Sequence, residues 1–215
     1  MKKSYAILGL GKFGSSVAEE LALAGAEVMA VDIDEERVHR LSDVVTYAIR
    51  ADICDVETMQ SLGLSNMDAV VVAITQDLNA SAMGTIFAKE QNVPFVLAKA
   101  QDEIHAKILQ KLGADKVLVP EKESGVRIAR SLLSGKFKEF IELSHHVVLV
   151  EMDMKPEWEG KNLIELDLRR KEKINVIAVR ADGHLVANPD PEAPLKAGST
   201  LVVTMDKKNV NHLMK

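Results

Sequence analysis

One cysteine among 215 residues, Cys54, leaves no partner for an internal disulfide and too few thiolates for a cysteine-rich zinc site. Long apolar runs are missing too: a stretch such as Ala69 to Ile74 falls far short of the roughly 20 residues that a membrane-spanning helix needs. Nor is there an excess of positive charge, since 27 lysines and arginines stand against 32 aspartates and glutamates, a net charge of −5. A general nucleic-acid binder, which neutralises phosphates with a basic face, is therefore not expected. The chain runs into a strand-like segment, Ser4-Tyr5-Ala6-Ile7-Leu8, without the apolar core and cleavage site of a secretory signal. A cytoplasmic protein is the expectation, with Asn79-Ala80-Ser81 an idle glycosylation sequon.

Catalytic constellations are also lacking. Ser15 stands where a Walker A turn requires lysine, so ATP hydrolysis has no usual machinery. Neither Tyr5 nor Tyr47 is followed four residues on by lysine, which removes the Tyr-Lys pair of a short-chain dehydrogenase. No G-x-S-x-G elbow or H-E-x-x-H motif occurs. His145 and His146 are adjacent, but neighbouring strand residues point to opposite faces, so the two make a poor pair of ligands. No nearby pattern activates Cys54, which reads as a reduced, incidental thiol.

What is present is a βα rhythm. Strand-like runs at Tyr5 to Leu8, Glu27 to Val31, Val44 to Ile49, Ala69 to Ile74, Phe95 to Ala98 and Val117 to Val119 alternate with segments such as Asn79 to Gln91, which carry apolar residues at helical spacing. Runs this continuous suit strands covered on both faces, and right-handed crossovers then leave a ligand crevice beyond their carboxyl ends. Pro120-Glu121-Lys122-Glu123 starts a connector helix to about Ser134, with Gly135 placed to close it. Beyond it come β-rich segments, His146 to Met152, Ile174 to Val179 and Thr200 to Thr204, with turns at Asp182-Gly183 and Asn188-Pro189-Asp190-Pro191. The expected fold is α/β: a Rossmann-like doubly wound parallel sheet over residues 1–136, then a small β-rich α+β domain over 137–215.

The first strand is followed by Gly9-Leu10-Gly11-Lys12-Phe13-Gly14, and the second ends at Asp32. This is the dinucleotide-binding fingerprint in its proper context: Gly9 for the tight turn, Gly11 for approach of a pyrophosphate, Gly14 for close packing of helix on strand. Free amides and the helix dipole hold the phosphates, and Asp32 takes ribose hydroxyls, which argues against the 2′-phosphate of NADP. Asp34 either joins Asp32 at the ribose or starts the next helix. Ala51-Asp52 and Ile74-Thr75-Gln76-Asp77-Leu78-Asn79 sit at later βα junctions, where a base and its sugar meet the crevice, although Thr75 or Asp77 can equally cap a helix. Lys99, ending the fifth strand, faces phosphate charge or solvent. Read from these residues alone, a small NAD-linked oxidoreductase is the alternative to a binding protein, but it lacks a substrate lobe and a proton-transfer set.

The run Ala6 to Gly14, Ala30-Val31-Asp32-Ile33-Asp34, Val72-Ala73-Ile74, Asn79-Ala80-Ser81, Lys99-Ala100-Gln101 and Ile108 to Asp115 leading to Pro120-Glu121-Lys122 resembles the cytosolic KtrA/TrkA-type regulatory subunits of bacterial potassium channels and transporters, the regulator of potassium conductance (RCK) family. Gly160-Lys161-Asn162-Leu163, Leu166-Asp167-Leu168-Arg169, Val176 to Val179 and Gly198 to Val203 resemble the carboxy-terminal domain of the same family, so the likeness covers almost the whole chain. The resemblance implies a nucleotide-binding gating subunit, not an enzyme, that binds ATP, ADP, NAD or NADH, forms homodimers within an octameric ring and docks beneath a membrane-embedded potassium channel or transporter. It would meet the membrane only through that partner. Carried over, Gly9, Gly11, Lys12, Phe13 and Gly14 receive the phosphates, Asp32 and Asp34 the ribose, Ala51, Asp52, Ile74, Thr75 and Asn79 the nucleoside, and Lys99 adds charge. Glu121 matches a position that holds magnesium or another divalent cation beside a triphosphate, though Pro120-Glu121 is also what a well-started helix needs. Some members bind cyclic di-AMP between second domains, at positions matched by Ile164 and Arg169. Lys12 replaces a common arginine, exchanging a bidentate fork for a point charge.

Overall fold

Apolar, β-branched runs that are buried from both sides become the strands of a parallel sheet. In the computed structural model, which describes residues 2–134 and 137–210, the order is β1 (Ser4–Leu8), α1 (Lys12–Leu23), β2 (Glu27–Asp32), α2 (Glu35–Leu41), β3 (Tyr47–Arg50), α3 (Val56–Ser61), β4 (Ala69–Val72), α4 (Leu78–Glu90), β5 (Val96–Lys99), α5 (Glu103–Lys111) and β6 (Lys116–Leu118). All four residues of β4 are buried, as a central strand requires. The strands lie in the order β3-β2-β1-β4-β5-β6, every pair parallel. The order reverses between β1 and β4, and that switch point puts the crevice at their carboxyl ends. One apolar layer, with Leu8, Val31, Met59, Val72, Phe87 and Leu109, covers one face; another, with Ile7, Leu10, Ala18, Val28 and Leu41, covers the other.

The helices start where short polar side chains can accept orphan amides: Asp34 caps α2, Asp55 α3, Asp77 α4 and Asp102 α5. Two strand boundaries differ from the sequence reading. β3 begins at Tyr47 rather than Val44, because Val44 and Val45 amides bond back to the Leu41 carbonyl and continue the turn after α2. β4 ends at Val72; the Ala73 amide still reaches the Leu8 carbonyl at 2.7 Å, but the chain then departs into the loop that flanks the glycine turn.

The chain divides into two compact units between Lys122 and Glu123, within α6 (Pro120–Ser134). Gly135, expected to close this helix, lies outside the described residues. The second unit holds β7 (Phe137–Glu142), β8 (Val147–Asp153), α7 (Leu163–Leu166), α8 (Leu168–Lys171), β9 (Ile174–Ala181), β10 (His184–Ala187) and β11 (Thr200–Asp206). The strands form an antiparallel sheet ordered β10-β9-β11-β8-β7. Its core gathers Val148, Val150, Trp158, Leu166, Ile174, Leu201 and Val203. The sheet includes two strands, β7 and β10, that the sequence reading did not identify.

Candidate functional site

The glycine turn joins β1 to α1, and its three glycines answer to three different demands. Gly9 has φ +96°, a conformation that side-chain-bearing residues rarely adopt, and a Cβ there would stand 2.7 Å from Ile74 Cγ1. At Gly14 a Cβ would stand 1.9 Å from the Gly9 carbonyl oxygen, so the helix can sit this close to the strand only without one. Gly11 is different: its φ is ordinary, and a Cβ would meet nothing within 4 Å. Apart from its place as the N-cap of α1, no backbone conformation or close approach within the chain calls for a glycine there. The space in front of Gly11 lies at the start of α1, whose first amides have no side-chain cap and whose first turn holds no acidic residue. Unclaimed amides and a positive helix end, opening on free space, make a cradle for an anion, and the residues fit the phosphates of a nucleotide.

Asp32 ends β2 against this turn. Only 5% exposed, it accepts the Leu10 amide on Oδ2 at 2.6 Å and the Asp34 amide on Oδ1 at 2.9 Å, while Arg37 approaches Oδ2 at 3.4 Å. The carboxylate is thus fixed beside the turn that it helps to shape. Asp34 turns to its own helix, accepting the Glu36 and Arg37 amides and pairing with Arg37 at 3.3 Å.

The next two βα loops meet nearby. The amide of buried Ala51 bonds to the Asp32 carbonyl at 3.0 Å, which ties the end of β3 to the end of β2. Asp52 accepts the Cys54 amide at 2.9 Å, and Asn79 Nδ2 donates to Cys54 Sγ at 3.4 Å. Sequence reasoning dismissed Cys54, yet the residue links Asp52, through its amide, to Asn79, through its thiol; the legible signal was its place two residues after Asp52 in a βα loop. Burial first, then the charges of Asp52 and Asp77, push the Cys54 thiol up, so it stands protonated at neutral pH. Ile74 abuts Gly9 and packs on the core, Asp77 caps α4, and Thr75 lies in the intervening loop.

Lys99 completes the arrangement from the end of β5. Its side chain is 12% exposed; Nζ stands 5.6 Å from the centre of the Phe13 ring, in the first turn of α1, and 2.6 Å from Glu121 Oε1. Lys99 holds the Glu121 carboxyl below its ordinary pKa. The structure therefore groups Lys99, Phe13 and Glu121, whereas the Lys12 ammonium makes no ion pair or ring contact among the described residues. No cluster of three or more metal-ligating side chains occurs among the described residues.

In the second unit, a pocket of about 160 Å³ lies between α8 and β9, lined by Leu163, Asp167, Leu168, Arg169, Ile174, Asn175 and Val176. Arg169 thus borders a recess, while Ile164 is 59% exposed and outside it.

Comparison with known proteins matches a family model within each of the two units. The TrkA-N domain model matches residues 5–120 and the TrkA-C domain model residues 147–215. The chain is 36% identical over 208 residues to the Ktr system potassium uptake protein A of Bacillus subtilis, covering 97% of this chain and 94% of that protein. It is 38% identical over 189 residues to the Ktr system potassium uptake protein C of the same organism, covering 88% and 86%. Among solved structures, the GsuK channel bound to NAD superposes with a TM-score of 0.67 at 15% identity, over 100% of this chain and 40% of that one, a likeness of fold.

Proposed function

From the premise that this chain belongs to the TrkA-N/TrkA-C family, we propose that it is a nucleotide-binding regulatory subunit of a potassium uptake system, acting on a membrane-embedded channel or transporter subunit. The observation that carries the nucleotide half is Gly11: an ordinary φ and open space before an uncapped helix start leave an external anion as the reason for glycine. The potassium half rests on relatives named as Ktr system potassium uptake proteins that match nearly end to end.

In this reading the α1 amides around Gly11, Lys12, Phe13 and Gly14 bind the phosphates of ATP, ADP, NAD or NADH. Asp32 orients the ribose with the lone pairs its backbone partners leave free, with Asp34 beside it. Ala51, Asp52, Ile74, Thr75 and Asn79 surround the nucleoside, and Lys99 supplies positive charge. Glu121 would ligate a divalent cation beside a triphosphate through Oε2, the oxygen that the Lys99 pair does not use. The recess at Arg169, with Ile164 on the surface nearby, would take cyclic di-AMP between paired second domains. The subunit works as homodimers in a ring, octameric by the family resemblance. No helix among the described residues is long and apolar enough to cross a membrane. By the family resemblance, contact with the bilayer goes through the partner.

Regulation needs no chemistry. A nucleotide that binds one ring conformation more tightly shifts the population by that difference in affinity, and the ring conveys the shift to the channel. The test is potassium flux into vesicles holding the membrane subunit with this chain, titrated with each nucleotide, alongside calorimetry on the chain alone. Nucleotide-dependent flux is expected. Steady oxidation of NADH with a small substrate, or flux indifferent to every adenine nucleotide that calorimetry shows to bind, would overturn the reading.

A further inference from the structure

Two loops at the nucleotide site are joined by a line of hydrogen bonds that none of the assigned ligand contacts uses. At one end the Gln101 amide, two residues past Lys99, donates to His105 Nδ1 at 3.2 Å. At the other, His105 Nε2 stands 2.8 Å from Ser81 Oγ, and Ser81 Oγ donates to the carbonyl of Leu78, the first residue of α4, at 3.0 Å. Ser81 is fully buried and His105 is 7% exposed. The line fastens the loop after β5, which follows Lys99, to the first turn of α4, which carries Asn79.

Its polarity has one solution. A backbone N–H can only donate, so Nδ1 holds a lone pair; the hydrogen of the neutral ring is then on Nε2 and goes to Ser81, whose own hydrogen is engaged by Leu78. A second proton has to go on Nδ1, where it faces the Gln101 N–H. Two donors then oppose each other, and either the loop after β5 parts from the ring or the ring parts from Ser81.

The helix that carries His105, α5, packs on α4 and β6. Asp102, its cap, is the charged group that acts on the ring and favours the cation, but burial outweighs it and pushes the pKa below 6.5. The remaining charged groups of these elements are engaged elsewhere or exposed. On α5, Glu103 pairs with Lys122, while Lys107 and Lys111 are exposed. At α4, Asp77 caps the helix, Lys89 pairs with Asp115 just before β6, and Glu90 is exposed, as is Lys116 on β6.

We propose that His105 is a positioning residue for the nucleotide site and makes nucleotide affinity sensitive to acid: the neutral ring holds the two loops in register for the ligand, and a proton on Nδ1 competes with the nucleotide. This role rests on the nucleotide reading given above.

The probe is NAD, whose pyrophosphate carries no proton that titrates between about pH 8 and 5, the range in which histidine changes charge. The Glu121 carboxyl, held below its ordinary value, and the Cys54 thiol, pushed above its own, lie outside that range. In the wild type the NAD Kd is expected to hold steady down to about pH 6.5 and then to rise several-fold by about pH 5, no faster than about ten-fold per pH unit, the slope of one proton. His105→Gln keeps an oxygen for the Gln101 amide and an NH2 for Ser81 with no ring to protonate; it should bind within about three-fold of the wild type at about pH 8 and show the flatter profile. ADP, whose terminal phosphate does titrate there, is compared between the two chains so that the ligand's own proton cancels. Reciprocity gives a reading on the wild-type chain alone: saturating NAD should lower the pKa of the His105 ring, followed by NMR, whereas a bound anion acting by charge alone would raise it. A wild-type profile no steeper than that of His105→Gln, or a ring pKa that NAD leaves in place or raises, would overturn the proposal while nucleotide binding stands. Binding of neither NAD nor ADP at about pH 8 would overturn the nucleotide reading, and the role of His105 with it.

Discussion

The same substitution at two glycines three residues apart should have opposite consequences. At Gly14 an alanine Cβ would lie 1.9 Å from the Gly9 carbonyl oxygen and 3.1 Å from the Ala73 Cβ. Neither the backbone oxygen nor the strand behind it can yield as a flexible side chain would, so α1 must back away from the sheet. Overpacking of a well-formed core costs about 1–3 kcal/mol, and a collision with backbone belongs at the upper end. At about 3 kcal/mol, the melting temperature of the first unit should fall on the order of 10 °C. At Gly11 a methyl group meets nothing within 4 Å and φ is −68°, so the fold should hardly register it. The poorer cap that alanine makes and the entropy it removes from the unfolded chain are each below about 1 kcal/mol and opposite in sign. Binding should respond the other way. A Cβ at Gly11 fills the space where phosphate oxygens approach the α1 amides; losing two charge-assisted hydrogen bonds at about 1.5 kcal/mol each weakens binding about 100-fold. Calorimetric melting and nucleotide titration of Gly11→Ala and Gly14→Ala provide the check. A Gly11→Ala chain that binds nucleotides as the wild type does would refute the argument that this glycine exists for a ligand.

Glu121→Gln should leave stability within about 1 kcal/mol, since the Glu121 side chain is exposed and the amide oxygen that replaces the carboxylate can still accept from Lys99, yet raise ATP affinity in chelator by loosening its hold on Lys99; a fall in affinity would sink that account. If Glu121 holds the cation, the gain in affinity on adding magnesium should vanish in the same variant, as read by titration with and without the metal. His105 accepts the Gln101 amide at Nδ1 and lies 2.8 Å from Ser81 Oγ at Nε2, and burial pushes its pKa below the ordinary 6.5 despite Asp102 nearby. A lowered folded-state pKa means that its contribution is complete above pH 6.5 and is lost as pH falls from there toward the folded value. Urea unfolding at pH 7.5 and 5.5 should therefore show acid sensitivity that His105→Gln reduces; equal sensitivity in both chains would count against it. Arg169→Ala should abolish cyclic di-AMP binding and leave nucleotide binding at the glycine turn unchanged, measured by titration of each ligand.

The glycine turn, the acid at the end of β2 and the parallel sheet were legible because each is imposed locally. A positive φ, a collision at a single Cβ or a continuous apolar run belongs to a few consecutive residues. What escaped either carries no burial pattern of its own, is claimed by an adjoining element, or depends on neighbours remote in sequence. All four residues of β10 are exposed, so no burial pattern marks it; it is a strand because the Asp182-Gly183 turn folds it back on β9. Val44 and Val45 look like strand residues, but the helix end at Leu41 claims their amides. The Lys99–Glu121 contact follows from β5 lying beside β6, with Lys99 opposite Leu118, three residues before Glu121. Cys54, from the loop after β3, meets Asn79, from the first turn of α4 after β4; those strands are not neighbours in the sheet, and no pairing rule brings the two residues together.

Asp32 shows why the glycine is the sharper probe of this site. A carboxylate has about four lone-pair positions, and here the Leu10 and Asp34 amides and Arg37 address three of them. The acid that would hold a ribose is thus the acid that fastens β2 to the glycine turn. Asp32→Asn would set an NH2 group against one of two backbone N–H donors, and Asp32→Ala would strip both of their acceptor. Either change loosens the turn as it removes the ligand contact, so a loss of nucleotide binding at position 32 has two causes that affinity alone does not separate. At Gly11 the chain makes no demand of its own on the side chain, and whatever is lost there is lost by the ligand.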